Sequence, residues 1–362
     1  MSKISALVLS LGFILLTAPA RAGEITIMAV GDVLPHPSWL RVEPPVSRLF
    51  KYAAPTLRGA DLVIGNLETP LTDCPDVTPS KDPEAIKDKR EFVFKAESGD
   101  TARGLKDAGF TVLTLANNHM GDYTGAGVLD TVARLKGAGL AYAGAGADLE
   151  EAFRPAVLTA GGTEVVVMAA SDVVPRGYEA RPGRPGIAAM KNDRAFIRRV
   201  KKVREEHPDA LLVLCLHWGA EAATEPTERQ KGLAHEFIDA GADLILGAHP
   251  HRLQGVEIYN GRPIFYSLGN FQFDSNAPGD ESAIARIVYE DGSRVPERVS
   301  LLPVIIAPGG APRVLKAGDP AYLLILGGMD RMCREFGVCL KGEDAETAGI
   351  AAPPRAARGS SQ

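Results

Sequence analysis

Short apolar runs alternate along the chain with amphipathic stretches, and most runs end at a polar or glycine residue. Consecutive apolar positions bounded by turn residues are typical of strands buried inside a layered fold. The runs that predict strands are 24–30, 61–65, 111–115, two within 157–170, 211–216, 244–246 and 263–268.

Apolar residues at helical spacing lie between these runs. The predicted helices are 46–59, 100–108, 125–137, 196–206, 227–240 and 322–336. Toward the C-terminal part, strands pair locally: Asn260-Gly261 predicts a tight hairpin turn, because both residues tolerate positive φ, and 282–289 pairs with 298–306. Strand–helix alternation followed by local pairing predicts one α/β domain with mixed sheets.

The composition is that of a globular protein with a sizeable core. Of 362 residues, 45% are hydrophobic and 23% are charged. The formal net charge of −5 gives no reason to expect a nucleic-acid partner. We predict one domain over residues 23–340, followed by a disordered tail over 341–362 that is rich in Ala, Pro, Gly and Ser.

Residues 1–22 have the pattern of a secretory signal peptide. Lys3 precedes an apolar stretch, 4–17, that is shorter than the ~20 residues a membrane span needs, and small-residue cleavage patterns follow at 18–20 and 20–22. The alternative is an uncleaved N-terminal anchor. A cleaved signal predicts a periplasmic or secreted protein without a stable membrane span.

Export permits disulfides, so the four cysteines bear on the compartment. Cys333 and Cys339 are close in sequence and are the predicted pair. Cys215 lies inside an apolar run and is predicted to be a buried thiol, whereas the partner of Cys74 is left open.

Polar residues capable of binding metal follow five of the predicted strands. They are Asp32, Glu68, Asn118 with His119, His217, and His249 with His251. Because ligands in α/β sheets gather at the carboxyl ends of strands, these residues are expected to converge. Mixed oxygen and nitrogen donors favour Mn²⁺, Fe or Zn²⁺ over Ca²⁺. We therefore predict a divalent metal site with one or two ions, which can clamp a phosphate.

Each of these residues has its own role in the prediction. Glu68 is the candidate bridge between two ions, and His119 is placed to protonate a leaving group. Taken singly, Asp32 is also explained as a turn residue and His217 as a core histidine. The additional ligand candidates are His36, Asn270 and Glu221.

A long loop rich in Arg, Pro and Gly, 173–186, supplies candidate substrate contacts. Arg181 and Arg184 are predicted to bind an anionic polymer or phosphate, with a solvated loop as the alternative. Trp218, next to His217, is a candidate aromatic contact at a strand end; the alternative is core packing.

Six motifs, in order, resemble the CapA family of bacterial capsule and poly-γ-glutamate biosynthesis proteins. They are GD at 31–32, NLE at 66–68, NNH at 117–119, HWG at 217–219, HPH at 249–251 and SLGNFQF at 267–273. That family has a fold similar to calcineurin-like metallophosphoesterases. The resemblance therefore implies a four-layer αββα sandwich with two mixed β-sheets.

The resemblance also implies ligand roles, residue by residue. Glu68 stands where metallophosphoesterases have a bridging aspartate, and Asn118, His119, His217, His249 and His251 match their remaining motif residues. Their first strand carries Asp-x-His. Asp32 matches that aspartate, but Leu34 stands where the histidine is expected, and His36 is the candidate substitute. The first metal position thus lacks one expected ligand.

Three functions are consistent with these features. The first is an exported CapA-type protein acting in capsule or poly-γ-glutamate synthesis or export. The second is a periplasmic metal-dependent phosphoesterase, with a phosphate ester as its substrate. The third is a non-catalytic protein that binds an anionic extracellular polymer.

Overall fold

The computed structural model describes residues 23–35, 46–96, 100–273, 279–342 and 348–351. The predicted signal peptide and His36 lie outside these residues. The helices are α1 Val46–Leu49, α2 Ala54–Leu57, α3 Pro83–Lys87, α4 Thr101–Ala108, α5 Thr124–Ala138, α6 Leu149–Ala152, α7 Asp193–Glu206, α8 Glu228–Asp239 and α9 Pro320–Arg334. In the described part of the chain, no helix is long and apolar enough to cross a membrane.

Strands make up most of the remaining regular structure. They are β1 Glu24–Val33, β2 Leu62–Leu67, β3 Val112–Thr114, β4 Ala141–Ala143, β5 Ala145–Gly146, β6 Ala156–Ala160, β7 Thr163–Ser171, β8 Gly186–Ile187, β9 Leu211–His217, β10 Leu244–Ala248, β11 Val256–Tyr259, β12 Arg262–Phe265, β13 Asn270–Gln272, β14 Glu281–Glu290, β15 Arg298–Ala307, β16 Ala311–Val314, β17 Cys339–Gly342 and β18 Ala348–Ala351.

Two mixed sheets organise the domain. The ten-stranded sheet has the order β17-β18-β15-β14-β1-β2-β3-β4, with β13 beside β1 and β16 beside β15. Its β1 to β4 are parallel, whereas β14 and β15 are antiparallel. The six-stranded sheet has the order β11-β12-β10-β9-β7-β6, parallel in the middle and antiparallel at both edges. Strands β5 and β8 form a separate short pair.

The side chains of β7 point alternately to the two faces of the six-stranded sheet and show what packs on each face. Val165 and Val167 face the core between the two sheets, whereas Val166 and Met168 face the cluster beneath α7 and α8. The outer face of the ten-stranded sheet packs against α1, α2, α4 and α5. Helices, sheet, sheet and helices form four layers, so the predicted αββα sandwich with two mixed β-sheets is confirmed.

Local differences from the sequence prediction have physical reasons. The stretch predicted as one helix, 46–59, forms α1 and α2, because Pro55 starts a new helix where its missing N–H costs nothing. The Asn260-Gly261 turn is confirmed, with φ of 50° and 77°. Part of the predicted disordered tail is a hairpin, β17 with β18, whose backbone also pairs with β15; that prediction was wrong for these residues.

The predicted Cys333–Cys339 disulfide is not formed. Both are free thiols: Cys333 is buried and its Sγ accepts the N–H of Val256 at 3.3 Å, whereas Cys339 is exposed. Cys215 is a buried thiol, as predicted, and burial raises its pKa.

The strand ends meet at a backbone contact that only glycine permits. A Cβ on Gly31 would lie 1.8 Å from the carbonyl oxygen of Gly269. We expect Gly31→Ala to lower the free energy of unfolding by about 3 kcal/mol or more, because backbone on both sides must shift. The matched control is Gly232→Ala in α8, where a Cβ meets nothing within 4 Å.

Urea unfolding measures both variants. Since alanine favours a helix over glycine, Gly232→Ala should raise stability by about 0.5–1 kcal/mol. Equal stability of Gly31→Ala and the native protein would show that the strand ends do not approach as closely as described.

Candidate metal centre

Asp32 anchors one side of the cluster at the carboxyl end of β1. The residue is buried, and its Oδ1 accepts a hydrogen bond from Nδ2 of Asn66 at 2.8 Å. Its Oδ2 accepts the backbone N–H of His249 at 3.3 Å and lies 3.2 Å from Nδ1 of His251. Asn66 Nδ2 also lies 3.2 Å from Nδ1 of His217, so this amide connects two candidate ligands.

Glu68 occupies the middle of the cluster, directly after β2. It is fully buried, and its Oε1 lies 3.7 Å from Nε2 of His217 and 3.9 Å from Nε2 of His251. Neither carboxylate oxygen has a hydrogen-bond partner among the described residues. A charged carboxylate that is buried without partners costs several kcal/mol unless it takes up a proton or a cation compensates its charge.

The candidate ligands fall into two groups that share Glu68. In the first, ligand atoms of Glu68, His217 and His249 lie within 4.8 Å of one another; in the second, those of Asp32, Glu68 and His251 do. Asn118 Oδ1, 2.7 Å from His217 Nε2, adds an oxygen to the first group. We name these groups the His217 subsite, with four donors, and the Asp32 subsite, with three.

The two histidines after β10 are held in an uncommon backbone conformation. His249 has φ 98° and His251 has φ 56°, in the left-handed region that costs roughly 1–2 kcal/mol for a residue with a Cβ. Strain of this kind persists where the surroundings impose it, and it concentrates at functional sites. Here the turn directs both imidazoles toward Glu68.

Protonation in the cluster follows burial and charge. Burial, and then the neighbouring Asp32, raise the pKa of Glu68, while burial lowers the pKa of His217 well below its usual range and that of His249 to about 4. For His251, burial is outweighed by attraction to Glu68 and Asp32, which raises its pKa to about 10.

These groups fit a divalent cation. His217 and His249 are neutral, as metal ligands must be, and Nδ1 of His249 has no partner among the described side chains. His251 is protonated by comparison and would release its proton when a metal binds. With the two unpartnered oxygens of Glu68, His217 and His249 form a nitrogen and oxygen donor set suited to Mn²⁺, Fe or Zn²⁺.

His119 lies beside the candidate ligands in a network that sequence reasoning missed. Its Nδ1 is 2.9 Å from Oδ2 of Asp122, and the hydroxyl of Tyr178 donates to Oδ1 of the same carboxylate at 2.6 Å. Asn117 Oδ1 accepts the backbone N–H of His119 at 3.1 Å. Asp122, three residues after His119, could have been found from that spacing; Tyr178 is 56 residues away from Asp122 and could not.

A small group of apolar side chains packs against one side of the candidate metal centre. Leu34, the residue that stands in place of an expected histidine, is buried with Phe94, Phe273 and Ile306. The ring of Phe94 lies 4.4 Å from that of His119, and the ring of Phe273 lies 5.0 Å from that of His251. Leu34 offers no donor, so it adds nothing to the three candidate donors of the Asp32 subsite, Asp32, Glu68 and His251.

Two of the additional ligand candidates flank the cluster. Asn270 Oδ1 lies 2.8 Å from Nδ1 of His251 and orients that ring. Glu221 is exposed, and its charge acts on both Glu68 and His249, which places it at the rim.

The candidate substrate contacts differ in their placement. Trp218 is fully buried, and its indole N–H donates to the carbonyl of Tyr266 at 3.0 Å, so the structure makes it a core residue and does not support the predicted substrate contact. Arg181 and Arg184 are both paired with Glu179 on a loop adjacent to Tyr178. The geometry and the fold together define a four-layer α/β protein with a candidate divalent-metal centre at its strand ends.

Comparison with known proteins identifies the family. The model for the bacterial capsule synthesis protein PGA_cap matches residues 26–275, and the chain belongs to that family. It is 31% identical over 311 residues to the capsule biosynthesis protein CapA of Bacillus anthracis, covering 82% of this chain and 71% of that protein. It is 36% identical over 227 residues to the PGA biosynthesis protein CapA of Bacillus subtilis (strain 168), covering 62% of this chain.

The chain spans 57% of the length of the Bacillus subtilis relative. Among solved structures, a putative 5'-nucleotidase from Staphylococcus aureus aligns with a TM-score of 0.48 and 16% identity. That alignment covers 83% of this chain and 57% of that one.

Proposed function

We propose that this protein is exported and acts in the synthesis or export of an anionic capsule polymer such as poly-γ-glutamate, through a divalent-metal site. The observation that carries the proposal is Glu68, a buried carboxylate that two groups of candidate ligands share and that has no hydrogen-bond partner within the described residues. Membership of the capsule synthesis family supports a capsule polymer as the molecule on which the protein acts. The signal-like pattern of residues 1–22 supports a periplasmic or secreted location.

We assign the candidate ligands to two metal ions. Glu68, His217, His249 and Asn118 would hold one ion, and Asp32, Glu68 and His251 a second. A bound Mn²⁺, Fe or Zn²⁺ ion supplies Lewis-acid polarisation of a substrate oxygen. The Asn66 amide contacts both Asp32 and His217 and so holds these two side chains in fixed positions relative to each other.

His119 is the proposed general acid. Asp122 accepts from its Nδ1 and stabilises the protonated ring, so that Nε2 can give a proton to the leaving group. The Phe94 ring, packed 4.4 Å away, keeps water from one face of the imidazole. The same arrangement serves hydrolysis of a phosphate ester, and this His119–Asp122 pair is what favours a periplasmic phosphoesterase as the second candidate.

Two substrates separate these functions. Purified protein loaded with Mn²⁺ should change the chain length of poly-γ-glutamate, measured by size-exclusion chromatography, and EDTA should stop the change. Turnover of a chromogenic phosphodiester without any effect on the polymer would favour the phosphoesterase. Retention of the polymer with turnover of neither substrate would favour the non-catalytic binding protein.

A further inference from the structure

Four charged side chains gather on the loop that leads from β7 to α7. Glu179 is nearly buried and pairs with Arg181, with Arg184 Nη2 at 3.6 Å and with Lys191 Nζ at 3.3 Å. The cations stay open to solvent, with side-chain exposures of 60%, 43% and 57% respectively. We name these four residues the Glu179 cluster; three cations and one carboxylate leave it a formal charge of +2.

The backbone holds this cluster in one arrangement. Ile187 N–H donates to the carbonyl of Tyr178 at 2.8 Å and Ala180 N–H to that of Ile187 at 2.9 Å, while Arg181 and Arg184 exchange two backbone hydrogen bonds. Arg184 Nη2 also donates to the carbonyl of Glu179 at 3.0 Å. The loop backbone is therefore ordered before any ligand arrives, and the ion pairs with Glu179 keep the cations near one another, which reduces the entropy cost of binding.

The Glu179 carboxylate keeps the cations together. Burial opposes its ionisation, but hydrogen bonds and charge from Arg181 and Lys191 lower its pKa to about 2. It thus stays charged at neutral pH and offsets the mutual repulsion of three cations. An arginine fork also satisfies a carboxylate better than a single point charge does.

The cluster is linked to the candidate general acid, His119, through Tyr178 and Asp122. Tyr178 immediately precedes Glu179, and its hydroxyl donates to Asp122, the partner of His119. The tyrosine is buried, and its ring covers Gly121, where a Cβ would lie 2.5 Å from Tyr178 Cδ2. Tyr178 and Asp122 therefore form a hydrogen-bonded connection between the cluster and His119.

We propose that the Glu179 cluster is a binding subsite for the carboxylates of a polycarboxylate chain, which it presents to the candidate metal centre. This proposal rests on the proposed polymer function and names the part of the protein surface that binds the polymer. The protein as a whole carries −5, so a +2 patch attracts an anion locally and not through a general positive field. Repeated carboxylates can engage several of these cations at once.

The test is a charge-matched pair of double variants. Arg181→Gln with Lys191→Gln removes two cations from the cluster, while Arg184 and its backbone contact stay in place. The control, Lys201→Gln with Lys202→Gln, makes the same change of charge on exposed positions of α7. Fluorescence anisotropy with labelled poly-γ-glutamate at constant ionic strength measures the dissociation constant of each protein.

We expect the cluster variant to raise the dissociation constant about tenfold, the sum of two modest exposed charge contacts, and the control to change it less than twofold. The double variant Arg181→Lys with Lys191→Arg keeps both charges and should bind the polymer with a dissociation constant close to that of the native protein. Metal content should stay at its native level in all of them, because none of these residues belongs to either group of candidate ligands, and this separates the subsite from the metal centre. Equal binding by the cluster variant and the control, or no polymer binding by the native protein, would overturn the subsite. Equally tight binding of single-stranded DNA of the same charge would overturn its preference for carboxylates.

Discussion

Glu68→Gln should remove both metal ions at once. Its carboxylate belongs to both groups of candidate ligands, whereas each histidine of the 249–251 pair belongs to one. Even partners outside the first coordination shell cost 10–100-fold in metal affinity, so loss of a shared ligand should cost more than about 100-fold at both subsites. Isothermal titration of chelator-treated protein with Mn²⁺ measures this directly.

The single-histidine variants supply the diagnostic contrast. His249→Ala should lose the ion of the His217 subsite and keep the other, and His251→Ala should do the reverse. In native protein, Mn²⁺ at 100 times its dissociation constant should stabilise the fold by about 2.7 kcal/mol, and Glu68→Gln should show no such gain. If Glu68→Gln loses only one ion, Glu68 does not bridge the subsites.

His119→Ala should lower turnover by about 10²–10⁴-fold while the metal content stays at its native value. The reason is that His119 belongs to neither ligand group, yet it lies beside them and has a carboxylate partner, Asp122. General acid catalysis by a positioned side chain contributes a factor of that size. Turnover of poly-γ-glutamate or of the phosphodiester, whichever is the substrate, is the measurement.

Asp122→Asn should lower turnover in the same direction, because the amide cannot stabilise a protonated imidazole as the carboxylate does. His207→Ala is the matched control: this histidine pairs with Glu164 before β9, at the end of the strand opposite the candidate site. Native turnover by His119→Ala would remove the proposed general acid, whatever the metal content.

The candidate ligands were predictable because their positions follow from strand topology. Apolar runs ending in Asp32, Glu68 and His217 identify the strands, and parallel neighbours bring their ends to one edge. The sequence also predicted Glu68 as the bridge between two ions, and Glu68 does belong to both groups of candidate ligands. The sequence pattern therefore predicted an α/β domain with mixed sheets and the set of side chains that converge, whereas the four-layer sandwich was predicted only from the resemblance to the CapA family.

What the sequence did not reveal depends on contacts between distant segments. Trp218 follows a candidate ligand directly, yet its ring is fully buried and stacks on that of Tyr266, with centroids 6.2 Å apart. The Tyr178–Asp122 hydrogen bond joins a loop to a turn through side chains alone. The apolar group around Leu34 likewise draws Phe94 and Phe273 from separate parts of the chain, which no local pattern encodes.

Elemental analysis of protein purified without chelator tests the central claim most directly. The four-donor His217 subsite should retain close to one Mn, Fe or Zn ion per chain through dialysis. The three-donor Asp32 subsite should fill only when Mn²⁺ is added, bringing the total to two, and the double variant His249→Ala, His251→Ala should bind neither. Native protein that contains no metal and takes up none from Mn²⁺ or Zn²⁺ would contradict the metal centre.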